Sequence, residues 1–506
     1  MLAFRGVNAD VEARLRALPA AHTLIESEPG RVLAHRLPAD AVRSAARDVI
    51  DELRREVLAR TAPDDRASLT QLALERMEAR GEALRASRLR RVINATGVVL
   101  HTNLGRAPLG VEVLDHVREA ASGYCTLEYD LDVGARDHRD RLVAERLTAL
   151  TGADDGLVVN NNAASLLLAA TALGAGREVI VSRGELVEIG GGFRVPEILA
   201  SCGAKLVEVG TTNRTRIEDY RRAITAATAM LLKVHRSNFA QVGFSKDVSL
   251  TELVALGRGH DVRVVEDLGS GALVDLGKHG LPAEPWVASS VAAGADAVLF
   301  SGDKLMGGPQ AGLVVGNRDT VGALRRHPLA RALRPGRLVV AALEATLRVY
   351  CEGRAFEQVP TLVMLTAPEH VVRARAERLA ELFAGACSGA ASLRVDVVPT
   401  VGRVGGGAMP TGQLASWGLR LVLERSGAAA AFASALRRVA DPPVVVLVRD
   451  GTVICDLRTV TDLELPLLAH GLARSLETLH KADSVADSGR TPAPAGPRDD
   501  EDDDGF

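Results

Sequence analysis

From Val92 onward the chain repeats one texture. Short, continuous, β-branched apolar runs end in glycine or polar residues and alternate with helical stretches. The runs read GLVVNNNAASLLLAATAL, EVIVSRGE, KLVEVGTT, AMLLKVHRSN, VRVVEDLGSG, DAVLFSGDK and AGLVVGN. A strand with one wet face alternates apolar and polar residues, whereas an unbroken apolar run fits a strand buried on both faces. Strand, helix, strand repeated in this way predicts an α/β fold, a mostly parallel sheet covered by helices. Ligands of such sheets sit at the carboxyl ends of the strands. In nearly every run the polar and glycine residues stand at that end.

At 506 residues the chain is too long for one core, and its texture changes twice. Residues 1–60 read as helical. From Asp40, a candidate N-cap, the residues Val42, Ala45, Ala46, Val49, Ile50, Leu53 and Val57 fall on one helical face. Arg43, Arg47, Arg54 and Arg55 lie mostly off that face. TAPDD (61–65) breaks the pattern, and a second helical stretch runs to about Arg88. Beyond about Tyr350, two valine-rich runs flank Asp450-Gly451, a strong hairpin signal, with helical stretches on either side. The predicted domains are a helical one (1–88), a catalytic one (89–350), a small α+β one (351–480) and a disordered acidic tail (481–506).

Charge limits the partners. The formal net charge is −3, but DDEDDD (499–504) holds six acids, and the rest carries 61 basic against 58 acidic residues. Any nucleic-acid site must therefore be a local patch. The five cysteines form no C-x-x-C pair, so neither a zinc site nor a disulfide framework is indicated. MLAFRGVNADVEARL lacks the apolar stretch of a signal peptide, and no 18-residue apolar run occurs. A cytoplasmic protein without a membrane span is expected.

LFSGDKLMGGPQAGLVVG (299–316) raises the question of chemistry. The chain has only six lysines, and Lys304 stands at a strand end before a glycine-rich turn. An amine desolvated there has a lowered pKa and a nucleophilic neutral form, as an imine-forming lysine requires. Asp267 follows another buried strand, where a carboxylate can hold the proton of a pyridinium nitrogen. Asn160, Asn161, Asn162, Ala163, Ala164 and Ser165 open a helix, whose free amides suit a phosphate. KVHRSN (233–238) is a third polar cluster after a strand. Each has a plain structural reading, as a surface lysine, an N-cap aspartate or a polar loop. Their order matches the fold-type-I pyridoxal-phosphate enzymes. Cys125 and His235 are read as packed or loop residues, not nucleophiles.

INATGVVLHTNLGRAPL (93–109), VSRGELVEIGGGFRVPEI (181–198), VGTTNRT (209–215), EDLGSGALVDL (266–276) and SGDKLMGGPQAGLVVG (301–316) together resemble the bacterial L-seryl-tRNA(Sec) selenium transferase family. The resemblance is dense over about 89–350 and looser in the helical region. It implies pyridoxal 5′-phosphate on Lys304, with Asp267, Asn161, Asn162, Ala163, Ser301 and Asn238 around it. It implies conversion of L-seryl-tRNA(Sec) to L-selenocysteinyl-tRNA(Sec) through an aminoacrylate, with selenophosphate as donor. Arginine forks suit that donor. By resemblance Arg106, Arg331, Arg334 and Arg139 would line its site, with Arg331 and Arg334 on one face if helical; Arg136 is a weaker candidate. A homo-oligomer, at least a dimer and in this family a ring of five dimers, is implied as well. The helical segment, through Arg43, Arg47, Arg54 and Arg55, would grip the tRNA. The rival reading is a pyridoxal-phosphate lyase of a free small amino acid or amino sugar on the same scaffold.

Overall fold

The computed structural model describes residues 11–85, 89–189, 192–387, 393–425 and 427–488. The chain divides into two compact units, Met1–Arg91 and Val92–Phe506.

In the first unit, helices Ala21–Glu26 and Glu28–Ala34 precede the long helices α1 (Ala39–Ala59) and α2 (Arg66–Arg85). The predicted apolar face is the buried one: Val42, Ala46, Val49 and Leu53 pack with Leu24, Leu33, Ala73 and Met77. Asp40 is not the cap, because Pro38 precedes the first turn and Asp40 lies within it. Its carboxylate there bonds Arg43 (2.5 Å). Arg54 likewise meets Asp51 (2.5 Å).

Besides two short two-stranded ribbons, Tyr129–Asp130 with Ala135–Arg136 and Glu188–Ile189 with Phe193–Arg194, the described residues of the second unit form two larger sheets. Their strands are β1 (Ile93–Ala95), β2 (Val98–Leu100), β3 (Asp155–Val159), β4 (Glu178–Ser182), β5 (Lys205–Val209), β6 (Thr228–Val234), β7 (Arg263–Gly269), β8 (Ala297–Ser301), β9 (Gly312–Gly316), β10 (Leu393–Gly405), β11 (Gln413–Leu423), β12 (Val444–Arg449) and β13 (Thr452–Asp456). The large sheet has the order β3-β9-β8-β7-β6-β4-β5. Its pairs are parallel except for β9, which runs antiparallel to β8 and β3. Every residue of β8 and β9 is buried, as their unbroken apolar runs require. Helices α3 (Val111–Ser122), α4 (Arg141–Thr151), α5 (Asn162–Gly174), α6 (Arg318–Arg326) and α7 (Arg337–Cys351) belong to this part of the unit.

The small sheet has the order β1-β12-β13-β11-β10-β2, beside helices α8 (Glu369–Ala386), α9 (Ala428–Arg438) and α10 (Leu465–Ser488). The predicted hairpin is present: β12 and β13 pair across Asp450-Gly451, both with positive φ (48° and 70°), as a two-residue primed turn demands. The INATGVVL motif, expected in the catalytic part, instead supplies β1 and β2 to this sheet. Gly97 allows the bend between them: its φ is 70°, and a Cβ there would fall 2.4 Å from Asp456 Cγ. Helix α10 continues past His480 to Ser488, into the stretch predicted to be disordered. The rest of that tail, 489–506, lies outside the described residues.

Candidate active site

Three strand ends of the large sheet meet at Lys304. The lysine lies in the loop between β8 and β9, closed by Gly308 N donating to Gly302 O (2.8 Å) and Gly302 N donating to Ala311 O (2.9 Å). Leu305 N donates to Ser270 O (3.0 Å), which ties the loop to the end of β7. Glycine is needed where the chain crowds. A Cβ at Gly307, whose φ is 71°, would lie 2.3 Å from Val359 Cγ1, and one at Gly312 would lie 2.1 Å from Asn161 O.

Lys304 and Asp267 are both buried, at 7% and 4% exposure. Burial lowers the lysine's pKa, and the nearby Arg106 guanidinium adds to that, against the opposing charges of Asp267, Asp303 and Glu284. Burial raises the pKa of Asp267, opposed first by a hydrogen bond from Asn162 and then by the Lys304 charge. Asn162 Nδ2 donates to Asp267 Oδ1 at 2.7 Å. Behind Asp267, His235 N donates to the Asp267 carbonyl (2.9 Å), and His235 Nε2 lies 3.1 Å from the buried Glu284. That pairing makes His235 a packed residue, as the sequence suggests; Cys125 is exposed.

The other cofactor candidates gather here to different degrees. Asn161 caps α5, accepting from Ala164 N (2.9 Å), so one first-turn amide is already taken by the protein. Ser301 is buried at the end of β8, opposite Gly312. Asn238 donates to Glu188 O (2.7 Å). Gly407, in the glycine triplet that ends β10, links it to the lysine: a Cβ there would lie 3.6 Å from Asn238 Cβ and 3.7 Å from Lys304 Nζ. Sequence reading missed this triplet, although VGGGAMP (404–410) signals a close backbone approach.

These residues fit pyridoxal phosphate. A desolvated amine, a buried carboxylate and a side-chain-free space at Gly407 converge, and Asn162 Oδ1 is buried without a hydrogen-bond partner among the described residues. Lys304 would carry the group, Asp267 would meet its ring nitrogen, and the start of α5 would take its phosphate.

The arginine candidates separate. Arg106, in the loop after β2, bonds the buried Asp303 (2.7 Å) beside Lys304. Arg139 and Arg334 both reach Glu128 Oε1, from Arg139 Nη2 at 2.7 Å and Arg334 Nη1 at 3.2 Å, and Arg136 reaches Glu128 Oε2 at 3.0 Å. Arg331 is exposed and makes no side-chain hydrogen bond or ion pair among the described residues. The helical spacing expected of Arg331 and Arg334 fails, because helix Pro328–Ala332 ends before Arg334. Pro335 follows at once, and the residue before a proline is disfavoured in a helix.

Comparison with known proteins agrees with this arrangement. Residues 92–461 match the family described as L-seryl-tRNA selenium transferase. The L-seryl-tRNA(Sec) selenium transferase of Moorella thermoacetica is 48% identical over 92% of this chain and 97% of its own length. That of Geobacter metallireducens is 44% identical over 90% and 98%. Among solved structures, D-glucosaminate-6-phosphate ammonia-lyase matches with a TM-score of 0.53 over 79% of this chain and 98% of its own, and at 21% identity it shares the fold alone. The matched length, the identity and the motifs assembled around Lys304 agree: the chain belongs to the L-seryl-tRNA(Sec) selenium transferase family.

Proposed function

We propose that this chain converts L-seryl-tRNA(Sec) to L-selenocysteinyl-tRNA(Sec), with selenophosphate as donor and pyridoxal 5′-phosphate as cofactor, as a cytoplasmic homo-oligomer. The observation that carries the reading is the buried Lys304–Asp267 pair in a chain 44–48% identical to enzymes of that name. Bound pyridoxal phosphate supplies an electron-withdrawing ring next to the serine α-carbon. The protein's part is proton handling and exclusion of water. Lys304, held neutral more easily than a solvated lysine, takes the proton from the α-carbon and returns it at the end. Asp267, oriented by Asn162, would hold the proton on the ring nitrogen. Arg106, Arg139, Arg331 and Arg334 receive the anionic donor. Arg43, Arg47, Arg54 and Arg55 of α1 contact tRNA phosphates, which supply affinity and register. No helix among the described residues is long and apolar enough to cross a membrane.

The test is incubation of the purified protein with selenophosphate and either seryl-tRNA(Sec) or free serine. Selenocysteinyl-tRNA(Sec) should form, with free serine inert. Turnover of free serine at a comparable rate, with none of the charged tRNA, would replace the reading with a small-substrate lyase.

A further inference from the structure

Glu128 stands where three of the arginines point. Its Oε1 accepts from Arg139 Nε (2.9 Å), Arg139 Nη2 (2.7 Å) and Arg334 Nη1 (3.2 Å), and its Oε2 accepts from Arg136 Nη2 (3.0 Å). Arg139 Nη1 donates to Pro335 O (2.7 Å), which fixes the fork against the segment that carries Arg334. Three guanidiniums on one carboxylate leave an excess of two positive charges. Arg141, on the adjoining helix α4, belongs to a separate cluster with Asp130, Asp137 and Glu145 that carries a net charge of −2. The carboxylate is about three-quarters covered, at 24% side-chain exposure, and Arg139 is at 20%, while Arg334 at 37% remains reachable from solvent.

We propose that Glu128 is a specificity-determining residue, a built-in anion that an incoming phosphoryl group must displace from Arg139 and Arg334. The inference rests on the proposed reading of these arginines as the donor site. A carboxylate in place keeps the cations converged while no donor is bound, so their mutual repulsion does not scatter them. It also sets a threshold. A monoanion gains no more from the forks than Glu128 already does, whereas a phosphoryl dianion offers more charge and more acceptor oxygens to the same donors. Discrimination then comes from competition within the site as well as from attraction to it. The arginines lower the pKa of Glu128, Arg139's hydrogen bond first, which favours its anionic form.

The experiment is calorimetric titration of the full-length holoenzyme with inorganic phosphate, with and without acetate. Glu128→Gln removes the charge and keeps the shape. It should bind phosphate about three- to fivefold more tightly, the upper span of a solvent-screened ion pair. Acetate should compete with phosphate in Glu128→Gln and leave the parent protein's titration unchanged. Equal or weaker phosphate binding in Glu128→Gln, or equal acetate competition in both proteins, would overturn the proposal. Arg139→Ala and Arg334→Ala separate the two levels of inference. If both lose phosphate while Glu128→Gln gains nothing, only the role of Glu128 fails; if neither loses it, the donor-site reading fails too. Thermal melts without phosphate check folding, and Glu128→Asp, which retracts the charge, serves if the glutamine variant does not fold; it should then also bind phosphate more tightly, and equal or weaker binding would overturn the proposal.

Discussion

Gly312→Ala is the most pointed test of how β9 shapes the cofactor site. A Cβ at Gly312 would lie 2.1 Å from Asn161 O and 2.4 Å from Ser165 Oγ, at the start of α5. The serine hydroxyl can rotate, but the carbonyl is backbone. Restoring a 3.0 Å contact means a displacement of about 0.9 Å. β9 cannot yield, since β8 and β3 hold it on both sides, with Gly312 paired to Ser301 and Val159. The start of α5 must move, carrying Asn161 and Asn162. Overpacking of this kind costs about 1–3 kcal/mol of stability. A displacement near 1 Å in a positioning group can cost up to about a hundredfold in function. Gly316→Ala is the control. It sits at the other end of the same strand, and its Cβ would lie 2.1 Å from Asp296 O, away from Lys304 and Asp267. Both variants should melt earlier by chemical denaturation. Only Gly312→Ala should also lose pyridoxal-phosphate affinity, by tenfold or more in equilibrium dialysis. Equal cofactor loss in both variants, or full affinity in Gly312→Ala, would refute the reasoning that β9 sets the position of α5.

Three further outcomes are expected. Lys304→Met in the cofactor-free protein should change how stability depends on pH. The folded-state pKa of Lys304 is lowered from 10.5, so the unfolded state binds the extra proton and the parent's stability rises with pH on approaching 10.5; that slope should vanish in the variant, and denaturation curves at several pH values decide it. Asn162→Ala removes the hydrogen bond that most opposes protonation of Asp267, and a bond to a charged group is worth about 1.5–3 kcal/mol, so cofactor affinity should fall about tenfold or more; unchanged affinity in a spectrophotometric titration would count against the role of Asn162. Replacing Arg43, Arg47, Arg54 and Arg55 together with Ala should leave the α1 core intact, because all four lie outside the buried set, yet weaken tRNA(Sec) binding and flatten its salt dependence; filter binding at two salt concentrations would show otherwise if the slope is retained.

Local chemistry made several features legible in the sequence. The unbroken runs of β8 and β9 are buried throughout, because a strand covered on both faces has no polar position. Asp450-Gly451 forms its turn because both central residues tolerate positive φ. Lys304 falls just past the end of β8, as its sequence context suggests, whereas Asp267 lies within β7, two residues before its end and not beyond it; the apolar face of α1 followed from its period. Tertiary structure decided what no local pattern encodes. β1 and β2 are three-residue strands, too short for a periodic signal, and their place in the small sheet comes from partners such as β12 and β10, hundreds of residues away. Through that pairing the small sheet delivers Arg106, after β2, and Gly407, after β10, to a lysine on the large one. The arginines divided for the same reason. Sequence spacing identifies them as cations, but Arg139 and Arg334 converge only because Glu128, far from Arg334 in the chain, folds between them, and the energy of an ion pair depends on a separation that only the folded chain sets.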